Sequence, residues 1–196
     1  MLPNRRAWNR RTAKETRNME LAEKRLSGET VFDGKIMHVR RDIVELGDGS
    51  RAFREVVDHS GGVCVLALDD EGRALIVSQF RYPHEKVLRE IPAGKLEQGE
   101  DPFDAAKREL REETGAVALR WDSLGEIYPT PAYCGEIIRM YLARDLSFGE
   151  TDLDEGEFLK AERVPFDELV GRVLAGEIRD AKTVAAVLKA KLILKI

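Results

Sequence analysis

The sequence predicts an α+β fold, an α/β/α sandwich on a mixed sheet with an antiparallel β region towards its N-terminal end. Three observations predict it. Alternating runs flank Gly47-Asp48-Gly49, the run Val63-Cys64-Val65-Leu66-Ala67-Leu68 reads as a strand buried on both faces, and one sharply bounded helix stands among strands, with helical spacing again at the end.

Residues 1–29 read as a basic arm. Eight Lys/Arg face three acids in residues 1–25, a local charge of +5, so a chain of net −4 leaves −9 on the rest (−4 minus +5). The arm has no apolar h-region of a secretory signal. An acidic body argues against a nucleic-acid groove, which needs clustered Lys/Arg. No apolar run approaches ~18 residues, so no membrane partner is expected. The two cysteines, Cys64 and Cys134, form neither a metal-type CxxC nor a disulfide framework, as expected of reduced thiols in a cytoplasmic protein.

Residues 30–60 form the predicted N-terminal β region. Ile36, His38, Arg40, Ile43 and Val44 give a strand-like run over 31–45, the Asp48-Gly49 step is a hairpin signal, and 51–57 is the return strand. The main domain spans 61–196. After the strand at 63–68, Asp69-Asp70-Glu71-Gly72 is a turn and 74–77 the next strand. Further strands are expected at 137–142 and 158–164, and helices at 166–175 and 182–194.

The helix at 102–114 carries the chemistry. Asp101 caps its free N–H groups, Pro102 suits the first turn, and Gly115 suits the stop. At about 100° per residue, Phe103, Ala106, Leu110 and Thr114 share about 80° of arc, while Glu109, Glu112 and Glu113 fill a neighbouring arc of about 100°. Glu109 and Glu113 project from one ridge as an i, i+4 pair. Their repulsion is relieved either by a hard divalent cation or, on a solvated acidic face, by Arg108 and Arg111.

A wider pattern separates these readings. Gly94, Glu100, Arg108-Glu109-Leu110, Glu112-Glu113 and Gly115-Ala116 stand in the spacing G-x5-E-x7-R-E-U-x-E-E-x-G-U, where U is aliphatic or small. Seven specified positions match by chance in about one frame in 10⁸. This resembles the Nudix box, here residues 94–116, and implies the Nudix fold. The resemblance implies that Glu109, Glu112, Glu113 and the Ala93 carbonyl hold Mg²⁺ or Mn²⁺. It also implies that Glu100 assists and that Arg108 holds a box glutamate in place. Catalysis would thus rest on Glu109, Glu113 and Arg108.

Beyond the box, Gln79-Phe80-Arg81-Tyr82, Glu90-Ile91-Pro92-Ala93-Gly94-Lys95-Leu96-Glu97, Pro131 and Asp180-Ala181-Lys182-Thr183 are similar to the ADP-ribose pyrophosphatase subfamily. That subfamily usually has Ser-Pro-Gly-Phe where this chain has Thr130-Pro131-Ala132-Tyr133, and often Asp-Glu at Gly135-Glu136. The resemblance implies a metal-dependent enzyme that splits a nucleoside diphosphate sugar, ADP-ribose first and ADP-glucose or GDP-mannose as alternatives. A non-catalytic nucleotide sensor is the competing class. The catalytic base is expected at Glu155, with Glu157 and Glu136 as alternatives. Arg54 and Arg81 are selected as substrate contacts because guanidinium groups suit phosphates, and Glu90 is placed with them. Related enzymes form dimers in which the N-terminal sheet reaches the partner's site, which implies the same use for 30–60 in a homodimer.

Overall fold

A computed structural model describes residues 21–153 and 158–195. Internal contacts divide the chain into two units, the first ending at Val57 and the second beginning at Asp58.

The described part of the first unit is a sheet ordered β1-β2-β3, comprising β1 (Lys24–Asp33), β2 (His38–Glu45) and β3 (Arg51–Asp58). β1 pairs antiparallel with β2, from Lys24 opposite Glu45 to Asp33 opposite His38. Residues 1–20 of the expected basic arm lie outside the described residues, and its end, expected at residue 29, is instead strand from Lys24. Gly28 explains part of the difference. It lies opposite Asp42 in the ladder, and a Cβ there would fall 2.0 Å from the Asp42 carboxylate. Asp42, 3% exposed, is paired by Arg25 and Arg40. The expected single run over 31–45 is likewise broken by a turn in which the Gly34 N–H donates to the Met37 carbonyl at 3.0 Å. The Asp48-Gly49 hairpin forms as predicted: Gly49 takes φ +80°, and Asp48 accepts from the Ser50 N–H at 2.9 Å.

The second unit is built on β4 (Gly62–Ala67), every residue of which is buried. β4 runs parallel to β9 (Ile138–Phe148) and antiparallel to β7 (Ala93–Lys95). β8 (Ala116–Ile127) completes this mixed sheet in the order β7-β4-β9-β8. A second sheet orders β10 (Leu159–Pro165), β5 (Arg73–Arg81) and β6 (Lys86–Glu90). Successive side chains of β4 point to opposite faces. Cys64 and Leu66 join the core under α2 (Phe166–Leu174) and α3 (Ala181–Leu194). Val63, Val65 and Ala67 meet Ala105, Ala106 and Leu110 of α1 (Pro102–Thr114). This is the sandwich the sequence predicts. Among the described residues, no helix is long and apolar enough to cross a membrane.

Candidate active site

α1 has the ends its sequence specifies. Asp101 accepts from the N–H groups of Phe103 at 2.8 Å and Asp104 at 3.3 Å, and Gly115 closes the helix at φ +67°. The helix is set on the sheet by Phe103, which meets Trp121 edge to face at 5.3 Å and Tyr141 at 5.6 Å. The box glutamates are thus held on a rigid element beside β7.

Glu113 is 3% exposed, and its Oε2 accepts from the Ala93 N–H at 3.0 Å. The helical layout grouped it with the other acids, but the strand's N–H draws it onto the buried face. Glu109 lies against the neighbouring residue: a Cβ on Gly94 would fall within 1.9 Å of its carboxylate, so a side chain there would displace that carboxylate. Arg108 gathers the remaining charge. It donates to Glu100 from Nε at 2.9 Å and Nη2 at 3.0 Å, to Glu109 at 2.8 Å and to Glu112 at 3.0 Å. The Glu100 bonds, with further charge from Glu109 and against partial burial, hold the Arg108 pKa above its usual value; Glu100 is correspondingly lowered by Arg108.

Among the described residues, no three carboxylate, thiolate or imidazole side chains already gather as a ligand set. The donor chemistry nevertheless fits a hard divalent cation. Glu109 and Glu113 both converge on the Ala93–Gly94 backbone, and every available donor there is oxygen.

A cavity of about 170 Å³ adjoins this backbone, lined by Arg81, Ala93, Gly94, Lys95, Glu136 and Lys182 among others. Arg81 binds Glu90 through one edge of its guanidinium, Nε to Oε1 at 2.8 Å and Nη2 to Oε2 at 2.7 Å, yet remains 39% exposed. Lys182 reaches Glu90 from α3 and also donates to Asp180 at 2.9 Å. Burial pushes the Glu90 carboxyl up, but Arg81 and Lys182 outweigh burial and hold it at about 2.

The selected residues differ in their surroundings. Arg81 lines the cavity. Glu90, selected as a substrate contact, is 2% exposed and stands behind Arg81 and Lys182, both oxygens engaged by them. Arg54 lies in the first unit, where its guanidinium pairs with Glu23 at 2.8 Å. Glu155 and Glu157 lie outside the described residues. Glu136 lines the cavity, with His59 Nε2 at 3.7 Å. The sequence alone assigns no role to Lys182, Lys95 or His59, which the structure places at or beside the cavity. Only the Asp180–Thr183 run pointed towards Lys182, since the contacts join residues far apart in the chain.

The NUDIX domain model matches residues 58–187, and the model of the nucleoside diphosphate sugar hydrolase N-terminal domain matches 23–57. The chain is 42% identical over 169 residues to an ADP-ribose pyrophosphatase of Bacillus subtilis, covering 85% of this chain and 91% of that protein. It is 41% identical over 167 residues to a methanol dehydrogenase activator of Bacillus methanolicus, covering 84% and 90%. A solved structure of an ADP compounds hydrolase superposes with a TM-score of 0.79 at 23% identity, over 90% of this chain and 96% of that one, which supports the fold.

Proposed function

This chain belongs to the NUDIX family, and from that premise we propose that it hydrolyses the diphosphate of a nucleoside diphosphate sugar, ADP-ribose first, giving AMP and ribose 5-phosphate. The observation that carries the reading is the convergence of Glu109 and Glu113 on the Ala93–Gly94 backbone beside a cavity lined by Arg81. Nudix hydrolases generally depend on divalent metal. Here Glu109, Glu112, Glu113 and the Ala93 carbonyl would hold Mg²⁺ or Mn²⁺. Bound there, the cation would neutralise diphosphate charge and acidify a water.

The chain's own groups do the rest. Arg81 and Lys95 meet the negative phosphoryl oxygens, and Arg108 keeps Glu109 and Glu112 from splaying apart. One glutamate accepts the proton of the attacking water. Glu155 is the candidate from the sequence, with Glu157 and Glu136 as alternatives; the place of Glu136 on the cavity favours it among the described residues. The P–O–P bridge breaks, its oxygen leaving with one product, and water supplies the oxygen gained by the other.

A homodimer formed through the β1–β3 sheet accounts for its exposed apolar residues, Leu26, Val31, Phe32, Ile36, Met37 and Phe53. The free cysteines fit a cytoplasmic protein. The complete set of box glutamates favours turnover over a purely regulatory role.

The test is incubation with ADP-ribose, ADP-glucose and GDP-mannose with Mg²⁺, with and without chelator. Chelator-sensitive AMP release, fastest from ADP-ribose, is the expected result. Faster cleavage of another sugar would change the substrate, and no turnover of any would overturn the enzymatic reading.

A further inference from the structure

The first turn of α3 is joined to the candidate site by side chains for which the chemistry above has no use. Asp180 caps the helix, accepting from the Thr183 N–H at 2.9 Å and from the Thr183 hydroxyl at 2.6 Å. With its own hydrogen committed to Asp180, the fully buried Thr183 hydroxyl accepts from the Ile91 N–H at 3.0 Å. Ile91 lies just past the end of β6, whose pairing with β5 ends at Glu90 opposite Val77. A side chain 92 residues away thus replaces the missing ladder partner. Pro92 has no N–H to offer, and its carbonyl accepts from Val65 at 2.9 Å. The next N–H, that of Ala93, meets Glu113. Every polar backbone anchor named here, from Ile91 to Ala93, runs to α3, to β4 or to a box glutamate.

Lys182 makes the parallel connection. Only 9% exposed, it donates to Glu90 Oε2, the oxygen that also accepts from Arg81 Nη2, and to Asp180. The four groups balance in charge, Glu90 and Asp180 against Arg81 and Lys182. A balanced, buried network of this kind fixes geometry more than it attracts a ligand.

We propose that Thr183 and Lys182 are positioning residues for the hydrolysis. Thr183 sets the Ile91–Ala93 backbone and with it the Ala93 end of the metal site. Lys182, acting through Glu90, sets the direction of Arg81 over the cavity. The proposal rests on the catalytic reading of that site, and its test is separable from it.

Thr183→Val keeps the shape and removes the acceptor, while Thr183→Ser restores it. In the metal-free protein, the amides of Ile91 and Ala93 should exchange with deuterium faster in the Val variant and return towards wild type in the Ser variant. Mn²⁺ affinity should fall about tenfold in the Val variant, the cost expected of losing an outer-shell support. Lys182→Met should instead raise KM for ADP-ribose and leave kcat near wild type. A folded Thr183→Val protein with wild-type exchange at Ala93 and wild-type Mn²⁺ affinity overturns the first half. If that variant does not fold, unchanged KM in a folded Lys182→Met protein overturns the second. The exchange readout stands even if no nucleoside diphosphate sugar is cleaved, so failure of the function and failure of this proposal are told apart.

Discussion

Two charged clusters lie along the same short stretch of backbone, and they are built in opposite ways. Around Arg108, the carboxylates of Glu100, Glu109 and Glu112 share one guanidinium, and Arg111 also reaches Glu112 at 3.2 Å, leaving −1 (three negative, two positive), at side-chain exposures of 13–44%. Around Glu90, two acids face two bases, and the central carboxylate is 2% exposed. An unbalanced, partly open cluster is one that a divalent cation completes. A balanced, buried one is complete already and holds its members still. Both are clusters of acidic and basic residues in the sequence; burial and charge balance separate the one proposed to bind metal from the one proposed to position.

The largest expected effect falls on Glu113, the proposed metal ligand beside the first cluster. Glu113→Gln keeps an oxygen for the Ala93 N–H but loses the charge, and should lower kcat roughly 10³-fold with the melting temperature little changed. A steady-state assay beside a thermal melt checks both halves. The second cluster should respond inversely. Glu90→Gln leaves Arg81 and Lys182 without their shared anion, and removing one member of a buried pair costs about 3 kcal/mol of stability, read by urea unfolding at neutral pH.

The same residue predicts a pH dependence. Its folded pKa, about 2, lies below the ordinary 4.5, so the stability it confers is present above the unfolded pKa. That stability is lost as pH falls from 4.5 towards 2. Urea midpoints of the wild type should drop across this window more steeply than those of Glu90→Gln. Parallel curves would remove Glu90 from the account of acid stability.

A smaller effect sharpens the contrast. Arg108→Met leaves the box glutamates unrelieved and should destabilise the metal-free protein by about 1 kcal/mol, as expected for a partly exposed ion-pair set. Added Mg²⁺ should restore more of the melting temperature than it adds to the wild type. No such cation-dependent recovery would mean that the glutamates do not share a cation.

What the sequence made legible follows from how local each signal was. α1 could be read to its ends because Asp101, Pro102 and Gly115 act on their own neighbourhood. β4 was equally plain, since burial on both faces leaves an unbroken apolar run. β8 was missed because only Ala116 and Leu124 of its twelve residues are buried, which erases the alternation. β1 has no buried residue at all, so its start was read as arm. The box glutamates carried a spacing that could be recognised, whereas the placement of Glu113 needed the β7 N–H. Glu90 is expected from the sequence to contact substrate, whereas its partners are Arg81 and Lys182; the Lys182 contact spans 92 residues and leaves no local signal.

The central claim is that the under-neutralised glutamates of α1 take a divalent cation and with it cleave a diphosphate. The most direct test is the rate of AMP release from ADP-ribose as Mg²⁺ is titrated into the wild type and Glu113→Gln. Saturable, chelator-reversible activation of the wild type, nearly absent from the folded variant, is the predicted result. A wild-type rate that ignores Mg²⁺ and chelator, or a variant that matches it, would contradict the claim.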